Sequence, residues 1–79
     1  MITVRYFAGA REAAGVTTEQ LGGPTSVAAL RGALTEAHPG LGAVLPRCAL
    51  LVAGARATSD EAQIPDDATV DVLPPFAGG

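Results

Sequence analysis

The sequence predicts a single α+β domain in which a mixed five-stranded sheet packs against one main helix. Residues alternate between apolar and polar at Ile2–Phe7 and Thr69–Leu73, as half-buried strands do. Between them, apolar residues recur at helical spacing after Ser26. A sheet with one apolar face and a helix with one apolar stripe cover each other, and 79 residues leave room for one such domain.

The first strand is predicted to place Ile2, Val4 and Tyr6 on its core face. Thr3, Arg5 and Phe7 then lie on the opposite face. A short helical turn is expected over residues 10–14, ending at a glycine. A second, more polar strand over residues 16–21 suits an edge of the sheet.

The main helix is predicted to begin after an N-cap at Thr25 or Ser26. It should end near His38, because Pro39 disfavours helical angles in the residue before it. Gly32 lies inside the helix at a cost of about 1 kcal/mol relative to alanine, which close packing would explain. The expected apolar stripe consists of Val27, Leu30, Leu34 and Ala37.

The second half of the chain contains three further predicted strands. An irregular or 3₁₀ turn over residues 41–45 precedes a well-covered strand over residues 48–52. Ala53-Gly54 turns the chain into a brief partner strand over residues 56–58, and residues 60–67 form a polar connection. In the last strand Val70 and Val72 should point inward and Leu73 outward, so residues 1–73 form the domain and residues 74–79 a flexible, extended tail.

Composition excludes several classes of function. A hydrophobic content of 48% and a net charge of −3 suit a compact globule and argue against disorder and nucleic-acid binding. No apolar run approaches the length of a membrane span. All five basic side chains are arginine, so a conjugated form of the chain would offer no internal lysine as acceptor.

Cys48 is the sole cysteine, so neither an intramolecular disulfide nor the usual tetrahedral zinc sets can form. A reducing, cytoplasmic setting is expected, because Met1 also leads directly into a strand pattern rather than an export segment. Cys48 is interpreted as a small core residue, and His38 is interpreted as a capping or solvent-exposed residue.

Neither a metal site nor a nucleotide site is predicted. The acidic residues of the polar connection lack calcium-loop spacing and are interpreted as a solvated surface that steers a basic partner. The glycines at positions 9 and 15 do not belong to a phosphate-binding motif. The acidic residues in question are Asp60, Glu61, Asp66 and Asp67.

The segment Pro74-Pro75-Phe76-Ala77-Gly78-Gly79 is the candidate functional site. The two prolines favour an extended, stiff tail with a reach of about 20 Å, and the glycines pass through a channel too narrow for side chains. The carboxylate of Gly79 is the candidate reactive group, and the alternative is a terminus without a role. Phe7, Leu73 and Phe76 are the candidate partner interface, unless Phe7 and Leu73 pack under a loop.

Several segments resemble the MoaD-type small subunit of molybdopterin synthase, in the MoaD/ThiS sulfur-carrier family. The resemblance spans nearly the whole chain. It is strongest in the opening strand, in the Arg-Glu turn that follows and in the closing tail. The segments are Val4-Arg5-Tyr6-Phe7-Ala8, Arg11-Glu12-Ala13-Ala14-Gly15, Val27-Ala28-Ala29-Leu30-Arg31 and Asp71-Val72-Leu73-Pro74-Pro75-Phe76-Ala77-Gly78-Gly79.

The resemblance implies a ubiquitin-like β-grasp fold with the last strand parallel to the first in the middle of the sheet. It implies that an E1-like enzyme adenylates Gly79 with ATP and magnesium. A sulfur donor, such as a cysteine desulfurase or a rhodanese-like protein, then forms a thiocarboxylate. The tail would enter the large synthase subunit, where its sulfur builds the molybdopterin dithiolene. This chain would bind no cofactor and would serve as a non-catalytic sulfur-donor subunit.

Two alternatives stay open at this point. Related thiocarboxylate carriers serve thiamin, cysteine or tRNA thiolation pathways and share the fold and the Gly-Gly ending. Arg11-Glu12 and Pro74-Pro75 favour the molybdopterin branch. The other alternative is a β-grasp module whose tail is never activated, or a modifier that forms isopeptide bonds.

Overall fold

The computed structural model describes residues 1–75, and these residues form a mixed sheet with one main helix packed on one face. The order of strands across the sheet is β2-β1-β5-β3-β4. The strands are β1 (Ile2–Tyr6), β2 (Thr18–Leu21), β3 (Ala49–Val52), β4 (Ala55–Arg56) and β5 (Thr69–Leu73). The α-helices are α1 (Ala8–Ala14) and α2 (Val27–Ala37), and two 3₁₀ helices span Pro39–Ala43 and Leu45–Arg47. The predicted α+β fold class is therefore confirmed.

The first and last strands lie side by side in the centre of the sheet. β1 and β5 are parallel, with Val4 opposite Val70 and Tyr6 opposite Val72. β5 also pairs antiparallel with β3, so it is hydrogen-bonded along both sides. The polar strand β2 occupies one edge, as expected from its composition.

The core forms between the inner face of this sheet and α2. From the sheet, Val4, Val70 and Val72 are fully buried, and from the helix Leu30 and Leu34. Such side chains contribute about 1.5–3 kcal/mol each when fully removed from water. The predicted inward positions of Ile2, Val4, Tyr6, Val70 and Val72 are all confirmed.

Helix α2 begins after Ser26, not Thr25, and the Ser26 hydroxyl oxygen accepts a hydrogen bond from the Ala29 N–H at 3.2 Å. Ala37 is exposed, so its expected place in the apolar stripe is wrong; the stripe ends one turn earlier, at Leu34. The explanation of Gly32 by close packing is also wrong, because a Cβ there would meet no heavy atom within 4 Å.

The shorter elements follow the predicted order with shifted bounds. α1 begins two residues before the expected turn and ends at Gly15, whose φ of 81° allows its N–H to reach the Arg11 carbonyl. β2 and β3 begin after Val16 and Cys48, because pairing starts later than the apolar pattern does. β4 follows Ala53-Gly54 immediately, since a two-residue turn returns the chain at once.

Candidate functional site

The tail leaves the body at the end of the central strand. β5 ends at Leu73, Pro74 is half-buried and Pro75 is exposed. The remaining site residues predicted from the sequence, Phe76, Ala77, Gly78 and Gly79, lie outside the described residues. The structure therefore defines where the tail begins, at the middle of the sheet rather than at an edge.

Apolar side chains surround this point, and we call Phe7, Ala49, Leu73, Pro74 and Pro75 the tail-root surface. The Phe7 N–H donates to the Val72 carbonyl at 3.2 Å, which continues the β1–β5 hydrogen bonding one residue beyond the end of β1. Ala49 is paired with Leu73 on the other side. Phe7 is 36% exposed and Leu73 is half-buried, so Phe7 is not a core residue. Their role as a partner interface stays a prediction.

A sharp change in backbone direction holds Phe7 at the corner of the domain. Phe7 has extended angles and is the N-cap of α1, while Ala8 has a φ of 48°. A positive φ is unfavourable for alanine, so the surrounding packing must hold this turn. The chain thus leaves the sheet plane directly after Phe7, and the ring stays at the margin of the sheet.

An ion pair on the outer face of the sheet lies against Phe7. Arg5 Nε and a terminal guanidinium nitrogen donate to the two carboxylate oxygens of Asp71 at 2.6 and 2.9 Å. The hydrogen bond with Asp71 and its negative charge raise the pKa of Arg5. The guanidinium carbon lies 5.7 Å from the centroid of the Phe7 ring. Arg5 thus contacts both the Asp71 carboxylate and the Phe7 ring.

A polar cluster beneath this region was not predicted from the sequence. The Tyr6 hydroxyl donates to Glu19 Oε1, and His38 Nε2 lies 2.7 Å from the same oxygen. The Tyr6 and His38 rings meet edge to face with centroids 6.0 Å apart. Burial, followed by the hydrogen bond to Glu19, raises the pKa of Tyr6. Glu19 itself could have indicated this cluster, because its pairing with Val4 places a carboxylate on the core side of β2, where it needs a polar partner.

The residues that sequence analysis set aside occupy structural positions. Cys48 is 6% exposed and its S–H donates to the Val44 carbonyl at 3.3 Å, while burial raises the pKa of the thiol. Its interpretation as a core residue is confirmed. His38 is the C-cap of α2, as expected, and also contacts Glu19.

The acidic residues of the polar connection are exposed, as predicted. Asp60 accepts a hydrogen bond from Arg31 Nε at 3.0 Å, and Asp67 lies 3.2 Å from the N-terminal amine. Across residues 1–75, no group of three or more His, Cys, Asp or Glu side chains is placed to hold a metal ion. In the same part of the chain, no helix has the length and apolarity needed to cross a membrane.

A central parallel pair formed by the first and last strands, with a helix crossing one face, defines a ubiquitin-like β-grasp protein. The sequence matches the ThiS family over residues 4–79, which includes the whole tail. The chain belongs to this family, within the wider MoaD/ThiS group of sulfur carriers. No curated protein sequence matches it significantly.

Solved structures agree with this assignment. Small archaeal modifier protein 1 from Methanosarcina acetivorans has 26% identity and a TM-score of 0.83, with 99% of this chain and 95% of that chain covered. A protein described as molybdopterin converting factor subunit 1 from Pyrococcus furiosus has 26% identity and a TM-score of 0.81, with 94% and 95% covered. A chain in the complex of molybdopterin-converting factor subunits 1 and 2 from Helicobacter pylori has 23% identity and a TM-score of 0.76, with 99% and 97% covered. The last similarity concerns the fold alone.

Proposed function

We propose that this protein is the sulfur-carrying small subunit of a molybdopterin synthase. The carboxylate of Gly79 is adenylated by an E1-like enzyme that uses ATP and magnesium, and a sulfur donor such as a cysteine desulfurase or rhodanese-like protein converts it to a thiocarboxylate. The sulfur then enters the molybdopterin dithiolene. The single thiol of the chain is buried and forms no disulfide within it, which suits a cytoplasmic setting for this chemistry.

The observation that carries the proposal is the continuity of the family match from the body through the Gly-Gly ending. A carboxylate is a weak electrophile because its charge is delocalised, and adenylation gives its carbon a leaving group that sulfur can displace. Gly79 carries the reacting group, while Gly78 adds no side chain that would obstruct a narrow channel. The general base and the metal belong to the enzymes that the tail visits.

The tail-root surface supports docking of a large subunit. It combines an exposed aromatic ring with half-buried aliphatic groups directly beside the origin of the tail. Aromatic anchors of this kind commonly dominate interface energy. A neighbour from Helicobacter pylori is described as a complex of subunits 1 and 2, which is the type of assembly that we propose here. Phe76 would extend the same apolar contact into the tail.

The reaction is tested by measuring the intact mass after co-expression with an adenylating enzyme and a sulfur donor. The proposal expects the mass to rise by the difference between sulfur and oxygen. A chain with one residue added after Gly79 is the control, and it should keep its stability while losing the mass shift. Equal charging of the extended chain would refute a mechanism at the terminal carboxylate.

The docking surface is tested separately with Phe7→Ala. Loss of an anchoring aromatic ring commonly costs about 2 kcal/mol or more, so the affinity for a large synthase subunit should fall by about thirtyfold. Gln20→Ala is the matched control, because Gln20 is also exposed on the sheet but lies on β2, in register with the start of β1. An equal loss in both variants would mean that the contact is not centred on the tail root.

Two other functions have specific support. The match to the ThiS family keeps the thiamin, cysteine and tRNA thiolation pathways open, and capture of a thiazole synthase or cysteine synthase would favour them. The similarity to a small archaeal modifier protein favours conjugation instead. Isopeptide-linked products after co-expression, without any sulfur-dependent mass shift, would favour a modifier. An unchanged mass where a known carrier is charged would favour a β-grasp module that is never activated.

A further inference from the structure

The body of this chain offers few groups that an activated C-terminus could acylate. All of its basic side chains are arginine. A guanidinium stays protonated in proteins, so it has no free electron pair for attack on an acyl carbon. Lysine amines, the usual acceptors of such acyl groups, do not occur in the sequence.

Serine and threonine hydroxyls are weak nucleophiles without an adjacent general base, and the thiol, imidazole and phenol side chains are shielded. The Cys48 thiol is buried and donates to the Val44 carbonyl, and burial raises its pKa, so little reactive thiolate forms. His38 is only 17% exposed, and its Nε2 contacts Glu19. The Tyr6 hydroxyl is buried and donates to the same carboxylate.

The α-amine of Met1 is the remaining candidate. It lies 3.2 Å from Asp67, and both groups are largely exposed. A primary amine carries a free electron pair once it is deprotonated, and this amine is accessible to a second copy. Met1 precedes β1, whereas the tail follows β5, and these strands are parallel. The amine and the tail root therefore lie at opposite ends of the sheet, an arrangement that favours reaction between copies.

We infer that no side chain of this protein accepts its own activated C-terminus, so that acylation between copies is confined to one head-to-tail linkage through Met1. The inference rests on the proposed function, because it concerns the fate of the activated Gly79. In that linkage the amine nitrogen bonds to the acyl carbon of Gly79, the bond from this carbon to AMP breaks, and AMP and a proton are released. The activated tail is thereby preserved for acceptors on other proteins.

The inference is tested without the activating enzyme. The full chain is prepared as a C-terminal thioester by intein cleavage and incubated at about pH 9, where roughly a few per cent of any lysine amine is neutral. The comparison variant carries Arg11→Lys, Arg47→Lys and Arg56→Lys, which are exposed positions where the charge is retained. Covalent dimers are quantified by intact mass and located by peptide mapping. Added glycine amide is the positive control for a reactive thioester.

The variant should form dimers linked through the introduced lysines. The original chain should form only dimers whose linkage maps to Met1. Linkage at any side chain of the original chain would overturn the inference. A variant that forms no lysine-linked dimer would also overturn the inference. In that case the use of arginine in place of lysine would not be what prevents acylation of the side chains. Since the thioester is made chemically, failure of enzymatic charging would refute the proposed function without changing this result.

Discussion

Replacement of Gly32 by alanine should stabilise the protein, and the structure sets the expected size of the effect. Gly32 is the sixth of eleven residues in α2, it is exposed, and a Cβ there would meet no heavy atom within 4 Å. Only the helix propensity then changes, and it favours alanine by about 1 kcal/mol. For a domain of this size, that gain raises the melting temperature by about 4–8 °C.

Gly40→Ala is the matched control, because the same substitution meets a different environment. A Cβ at Gly40 would lie 2.9 Å from the carbonyl oxygen of Ala13, which is backbone and cannot rotate away. The 3₁₀ helix would have to shift from α1, at a cost of about 1–3 kcal/mol. Both variants are measured by thermal and urea unfolding.

The two substitutions are expected to change stability in opposite directions. A Gly32→Ala variant no more stable than the original chain, or a Gly40→Ala variant that loses no stability, would refute this expectation. A Gly32→Ala gain together with an equal Gly40→Ala gain would show that the close approach at Gly40 does not hold in solution.

Three further predictions concern the turn, a helix cap and the response to pH. Ala53→Asn should stabilise the β3–β4 hairpin by about 1 kcal/mol, because Ala53 has a φ of 51° and asparagine tolerates this region; urea unfolding checks it, and a loss of stability would contradict it. Ser26→Ala should cost about 1 kcal/mol through loss of the N-cap, whereas Ser26→Asp should retain most of the stability. The pKa values of Cys48 and Tyr6 are raised in the folded state. The unfolded chain therefore releases the Cys48 proton above about pH 8.5 and the Tyr6 proton above about pH 10, while the folded chain keeps both. The free energy of unfolding should fall as the pH rises past these values, by up to about 1.4 kcal/mol per pH unit for each group. The free energy of unfolding is measured in urea from pH 7 to 11. Its decrease near pH 10 should disappear in Tyr6→Phe, and its decrease near pH 8.5 should disappear in Cys48→Ala. Profiles unchanged by these substitutions would contradict the assignment.

The elements of the fold could be predicted because local patterns determine them. Alternation in β1 and β5 identified the buried face residue by residue, and the N-cap and the following proline bounded α2. Strand bounds were less predictable, because apolar composition continues past the last backbone pair: Cys48 is buried but precedes β3. The parallel pairing of β1 with β5 came from the family resemblance, since no local pattern specifies a contact between the two ends of the chain.

The candidate site was predictable in part for the same reason. The outward placement of Phe7 and Leu73 followed from the alternation of side chains along the first and last strands. The contact of Arg5 with Asp71 depends on the register of a non-local pair, and the shared carboxylate of Glu19 depends on where the C-terminus of α2 lies over the sheet. Such contacts require three-dimensional placement that a single sequence does not contain.

The pairing of β5 on both sides also determines how the protein bears mechanical load. Under the proposed function, a partner that draws the tail into a channel would pull along the axis of this strand. Because the flanking hydrogen bonds with β1 and β3 lie across that axis, they resist as a group in shear and do not open one at a time. An edge strand in the same role could be peeled away from its single neighbour. The pairing of β5 with two neighbours would therefore keep the domain folded under such a pull.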